Sequence, residues 1–250
     1  MRSTRSSIAS SVEPMSERTS VDEAMRWLEQ HATKRTRDGM ARFGIPSANA
    51  LGVTVGDMRK YAKTLGKDHA LAARLWSTGV YEARFLAAFV DEPSAVAPPQ
   101  MDRWVADFDN WAVCDTVCFA LFDRTPHAWK KVRAWAGARP EFHRRAAFAL
   151  LWALSVHDKQ APDDHFLACL PLLEKGALDE RDYVKKGVDM ALRALGKRNT
   201  VLRRAAIDLA TRLRDSERGA QAWVGRSTLR ELGGHVPGGR QRRMRAAFSK

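Results

Sequence analysis

Apolar residues recur at three- and four-residue spacing from about residue 20 to residue 232, and no convincing strand signal interrupts them. That period confines the chain to helices. Gly39, Gly44, Pro46, Gly66, Gly79, Pro93, Pro98-Pro99, Pro126, Pro140, Pro162, Gly176 and Gly196 then divide it, leaving room for helices of about 8 to 17 residues. Ser20 with Glu23 has the form of a capping box, and Pro98-Pro99 suits a first helical turn. The expected fold is all-α, with about a dozen short helices.

A weak internal repeat orders these helices. Glu82-Ala83-Arg84-Phe85-Leu86-Ala87-Ala88 compares with Arg144-Arg145-Ala146-Ala147-Phe148-Ala149-Leu150. Both compare with the stretches around Lys185-Lys186 and Arg226, and Val113-Cys114-Asp115-Thr116-Val117-Cys118 falls between the first two. Aligning Arg84, Asp115, Arg145, Lys186 and Arg226 gives spacings of 31, 30, 41 and 40 residues. Such lengths suit helical hairpins stacked as a solenoid. In each, a polar residue leads a run of small and apolar ones, so the leading residues are expected to line one surface. Four of the five are Arg or Lys. A cationic row of this kind can track a phosphate backbone, or it can be a set of solvated helix starts.

Charge bears on that choice. The 250 residues hold 42 Lys and Arg against 29 Asp and Glu, a net charge of +13. A polyanionic partner, nucleic acid above all, would account for it; so would a general preference for Arg in the composition. With 45% hydrophobic residues the chain can bury a sizeable core. Cys114, Cys118 and Cys169 are too few and too scattered for a disulfide framework, and are expected as buried thiols. No metal-ligand spacing appears among the seven histidines, so neither metal nor cofactor is expected. No apolar run reaches membrane-spanning length. Residues 1–18 and 233–250 are expected as flexible tails around one repeat domain at 19–232. The second tail carries Arg240, Arg242, Arg243 and Arg245 and is suited to extra phosphate contacts.

Asp115 is the anion in the cationic row. Trp111 precedes it by four residues, one helical turn, so the indole and the carboxylate share a face. Arg145, on the next equivalent helix, either pairs with Asp115 and holds it ionised or grips a phosphate. An inter-repeat salt bridge with Trp111 as core is the structural alternative.

The stretch Trp104-Val105-Ala106-Asp107-Phe108-Asp109-Asn110-Trp111-Ala112-Val113-Cys114-Asp115, then Arg145-Ala146-Ala147 and Val184-Lys185-Lys186, resembles the AlkD family of DNA alkylation repair proteins. Arg42-Phe43-Gly44-Ile45 and Met58-Arg59-Lys60-Tyr61 add to the resemblance, which covers about residues 20 to 232. It implies a HEAT-like repeat solenoid with a concave basic face cradling duplex DNA. It also implies a glycosylase that excises positively charged alkylpurines, chiefly 3-alkyladenine and 7-alkylguanine, with the lesion still stacked. The family's catalytic tryptophan, aspartate and arginine fall on Trp111, Asp115 and Arg145. A second family tryptophan falls on Met190, a departure that leaves a different side chain facing the lesion. Arg84, Lys185, Lys186, Arg193 and Arg226 are the expected DNA contacts. A monomer in the cytoplasm, associated with the nucleoid, is the expected setting. Two alternatives follow from the same fold: a non-catalytic protein binding DNA by shape and charge, and a protein–protein scaffold.

Overall fold

The computed structural model describes residues 16–233. In chain order the helices are α1 (Ser16–Gln30), α2 (Lys34–Met40), α3 (Val55–Leu65), α4 (His69–Ser77), α5 (Tyr81–Val90), α6 (Pro98–Ala106), α7 (Trp111–Ala120), α8 (Ala128–Trp135), α9 (Glu141–His157), α10 (Asp163–Leu167), α11 (Leu170–Gly176), α12 (Asp182–Leu195), α13 (Thr200–Arg214) and α14 (Gly219–Gly233). Single 3-10 turns occupy Ala41–Phe43 and Phe122–Arg124. Among the described residues there is no strand, and no helix is long and apolar enough to cross a membrane.

Side-chain caps set many of the helix starts. Thr54, Asp68, Asn110 and Asn199 each accept a hydrogen bond from the backbone N–H three residues on, and Pro98-Pro99 opens α6 as expected. Ser20 is a correction. α1 starts at Ser16, so Ser20 stands inside the helix rather than at its cap, and the stretch read as an N-terminal tail is helical from Ser16. The basic segment after Gly233 lies outside the described residues.

The stacking follows the repeat. α5 packs on α7, α7 on α9, α9 on α12 and α12 on α14, in one continuous layer that α3 extends. α4, α8, α11 and α13 back this layer on its other side. α5, α7, α9, α12 and α14 are the helices that carry Arg84, Asp115, Arg145, Lys186 and Arg226. Four of those residues sit one turn inside their helices rather than at the starts, because Val80, Asn110, Pro140 and Arg181 cap them a turn earlier. Small residues allow the close approach. A Cβ at Gly225 would stand 2.2 Å from the backbone nitrogen of Arg214, so α13 and α14 meet backbone to backbone. α9 is enclosed by α7, α8 and α12, and from Arg145 to Ser155 only Trp152 is less than buried. The three cysteines are buried free thiols.

Candidate active site

α7 owes its register to Asn110, whose side-chain oxygen accepts from the Val113 N–H at 2.9 Å. This places Trp111 at the first helical position and Asp115 one turn deeper. Asp115 is 6% exposed and Arg145 3%. Arg145 grips both carboxylate oxygens: Nε donates to Oδ1 at 2.9 Å and Nη2 to Oδ2 at 2.6 Å. Its remaining Nη1 donates to the Tyr183 carbonyl at 2.7 Å. One guanidinium therefore ties α7, α9 and the first turn of α12 together. Of the roles open to Arg145 in the sequence, the geometry takes the pairing with Asp115 rather than a free guanidinium, and that pair is also a salt bridge between repeats.

Burial pushes the Asp115 carboxyl above its ordinary value, while the charge and hydrogen bonds of Arg145 act to lower it. Both carboxylate oxygens accept from a guanidinium that does not give up its proton, which is the geometry of an ion pair. Each carboxylate oxygen keeps a further lone pair, and Asp115 lines a cavity of about 670 Å³ on the face of the helical stack.

Trp111 is only partly buried, and its indole N–H is committed. It donates to the Phe43 carbonyl at 2.8 Å, while the Tyr183 hydroxyl donates to the Gly44 carbonyl at 3.4 Å. Gly44 ends the Ala41–Phe43 turn with φ of 65°, and a Cβ there would come within 2.8 Å of the Tyr183 oxygen. The turn thus lies across the starts of α7 and α12, beside the Asp115–Arg145 pair.

Met190 and Arg193 line a neighbouring cavity of about 590 Å³. Trp152 and Val156 line both cavities. Arg193 pairs with Asp189 at 3.1 Å and with Glu231 at 3.5 Å. Lys185 and Lys186 pair with Asp182 at 2.9 and 3.2 Å, and Lys185 also lies 5.4 Å from the Trp223 ring centre. Lys186 and Arg226 are exposed. Arg84 is half-buried over the Trp76 ring and donates to the Asp107 carbonyl at 3.0 Å. The aligned positions are therefore not one uniform row: Arg84 and Arg145 tie repeats together, while Lys186 and Arg226 face solvent.

Other groups stand at the first cavity that the repeat comparison did not single out. Phe119 is one turn beyond Asp115, and Trp152 is two turns beyond Arg145, so helical spacing alone places them on the same faces. Their rings meet edge to face with centres 4.6 Å apart. His157, also lining the cavity, is hydrogen-bonded through Nδ1 to the buried carboxylate of Asp123. Lys63, Lys67 and Arg124 bring positive charge to the same rim. Among the described residues no group of three His, Cys, Asp or Glu side chains is arranged to hold a metal.

A solved structure of a protein from a family described as related to the HEAT-like repeat DNA glycosylases, with affinity for branched DNA structures, superposes with a TM-score of 0.70. The two share 20% identity, and the match spans 85% of this chain and 96% of that one. The stack is accordingly a HEAT-like repeat solenoid, as expected. No curated protein matches the sequence. The sequence model of the DNA alkylation repair enzymes matches residues 24–231. From cap to cap, then, this solenoid with its buried Asp–Arg pair belongs to the DNA alkylation repair enzyme family.

Proposed function

We propose that the protein is a DNA glycosylase that hydrolyses the N-glycosidic bond of cationic alkylated purines in duplex DNA. The observation that carries this is Asp115, a carboxylate held ionised by Arg145 in the wall of a cation-rimmed groove. An N-alkylated purine already bears positive charge, so it departs as a neutral base without a general acid. The barrier lies in the positive charge that grows on the deoxyribose. A carboxylate about 4 Å from that centre contributes roughly 4 kcal/mol at an effective dielectric of ~20. The guanidinium behind it, about twice as far away, cancels roughly half. The net ~2 kcal/mol corresponds to about thirtyfold in rate. Trp111 offers its ring face to the same centre. Lys185, Lys186, Arg193 and Arg226 supply phosphate contacts along the groove, and Arg84 adds charge nearer its start. With chromosomal DNA as substrate the setting is the nucleoid, and we take the acting species as a monomer.

A second reading, non-catalytic DNA binding, is favoured by two observations. Met190 stands where an aromatic ring is expected, and the solved relative is described by its affinity for branched DNA. Incubating the protein with duplex DNA containing 7-methylguanine separates the two. Base release above the spontaneous rate supports the glycosylase; binding with no release leaves the binder.

A further inference from the structure

Asp91 and Asp123 each hold the Nδ1 of a half-exposed histidine, Asp91 that of His69 at 2.6 Å and Asp123 that of His157. Both aspartate side chains are wholly buried. The two pairs differ in what surrounds them. The second oxygen of Asp91 accepts from Gln100 at 2.7 Å. The second oxygen of Asp123, Oδ1, is buried without a hydrogen-bond partner among the described residues. His157 also lines the first cavity, with the Phe119 ring edge-on to it at 5.6 Å, whereas His69 does not line it. With Nδ1 taken by Asp123, Nε2 is the ring nitrogen left to His157 for another partner.

Two cations stand close to this pair. Burial pushes the Asp123 carboxyl up, while the hydrogen bond and charge of His157, and then the charge of Arg124, act to lower it. Burial depresses the Lys67 ammonium, and the charge of Arg124 adds to the effect. Arg124 is therefore within electrostatic reach of both the Asp123–His157 pair and Lys67. Lys67 is fixed in place, donating to the carbonyls of Phe89 and Asp91 at 3.0 and 2.7 Å, which leaves one of its three N–H groups for a ligand. Arg124 is exposed, and among the described residues it forms no ion pair. Two cations and an imidazole thus share one buried carboxylate, and an anion among them would relieve their repulsion.

We propose that Lys67, Arg124 and His157 form a phosphate site that takes one backbone phosphodiester of the duplex, His157 donating through Nε2 as an imidazolium. Asp123 positions the ring through Nδ1 and supplies the counter-charge. The ligand is an outer phosphate, so the DNA stays paired and stacked. Binding takes up a proton whenever the ring starts neutral. Imidazole is the side chain whose charge ordinarily changes between about pH 5 and 8. The other ionisable groups that line the cavity are Arg59, Lys63, Lys67, Arg124 and Asp115. Asp158, next in sequence, is taken by the N–H groups of Trp129 and Ala161 at 3.2 and 3.0 Å. The inference rests on the DNA-directed reading above and adds a protonation-linked contact to it.

The test uses undamaged duplex DNA, so it does not depend on base release. Affinity is measured at constant salt from about pH 6 to pH 8 for the protein, His157→Asn, Arg124→Ala and His69→Asn. The asparagine amide stands near the place of Nδ1, so His157→Asn keeps a donor for Asp123 and removes Nε2. The protein is expected to bind several-fold more tightly at the acid end. His157→Asn should lose most of that dependence and bind about tenfold more weakly there, the scale of one charged hydrogen bond. Arg124→Ala, at an exposed position, should lower the salt slope by about one counterion. His69→Asn, the same change at the pair that does not line the cavity, should bind like the unaltered protein. A pH dependence that survives His157→Asn overturns the proposal, and so does an equal loss in His69→Asn, which would mark both pairs as staples of the fold. Inorganic phosphate that displaces the duplex well beyond chloride at equal ionic strength would make this a site for the free anion and overturn the backbone assignment. Failure to bind the duplex at any pH overturns the proposal together with the DNA-directed reading, whereas base release with a pH-independent affinity overturns it alone.

Discussion

At the scale of single residues the Asp115–Arg145 pair is both a structural joint and the candidate source of chemistry. Removing one partner of a buried ion pair leaves an uncompensated charge, at a cost of about 3–5 kcal/mol. Arg145→Ala is expected to lower the unfolding free energy by that amount in urea titration; a loss under about 1 kcal/mol would show that the pair bears little of the fold. Arg145→Lys should also lose most of the joint, because an ammonium cannot span both carboxylate oxygens and the Tyr183 carbonyl together. Trp111, Asp115 and Arg145 were readable from spacing because two share a helical turn and the third is one repeat away. Trp152 was equally regular in spacing, yet nothing in its surroundings of Ala and Leu marks a groove residue. The Asp123–His157 pair was hidden for a different reason: its members are far apart in sequence, and only the packing of the Phe122–Arg124 turn against the end of α9 unites them.

At the scale of elements, helix type and order were legible and helix starts less so. The period of 3.6 and the breakers fix where helices lie, but a capping side chain decides which turn comes first. Asn110 does this for α7, whereas α5, α9 and α12 follow Val80, Pro140 and Arg181 without a side-chain cap bond, and in all four the aligned residue lies one turn inward. Close helix contacts give a sharp expectation. Gly225→Ala must push α14 away from the α13 backbone and should destabilise by about 1–3 kcal/mol. A thermal midpoint equal to that of the unaltered protein would contradict the close packing. The turn into α12 supplies a pH-dependent case. Asp179 accepts from Arg181 at 2.8 and 2.6 Å and from Arg144 at 2.7 Å, and these bonds, Arg181's foremost, hold its carboxyl well below the usual carboxylate range. A depressed folded-state pKa stabilises above the unfolded-state value and ceases to do so as pH falls through the folded one. Asp179→Asn should therefore lose about 2 kcal/mol at pH 7, and the gap to the unaltered protein should close as pH drops below about 4. A gap that stays constant down to pH 2 would contradict the assignment.

At the scale of the whole molecule, a solenoid turns a local repeat into an extended face, and a net charge of +13 over the full sequence makes the protein attractive to a polyanion. The sequence conveyed the sum of the charge better than its placement. Arg84 and Arg145 turn to partners within the stack, whereas Lys186 and Arg226 remain exposed. Duplex affinity is thus expected to fall linearly in log–log form with salt, and Arg226→Ala to lower both the affinity and the slope by about one counterion. An unchanged slope would remove Arg226 from the interface. The most direct measurement is single-turnover release of 7-methylguanine from duplex DNA by the protein and by Asp115→Asn, at equal and saturating occupancy. The account predicts release above the spontaneous rate and a loss of at least about thirtyfold in the variant; a variant as fast as the unaltered protein would contradict it.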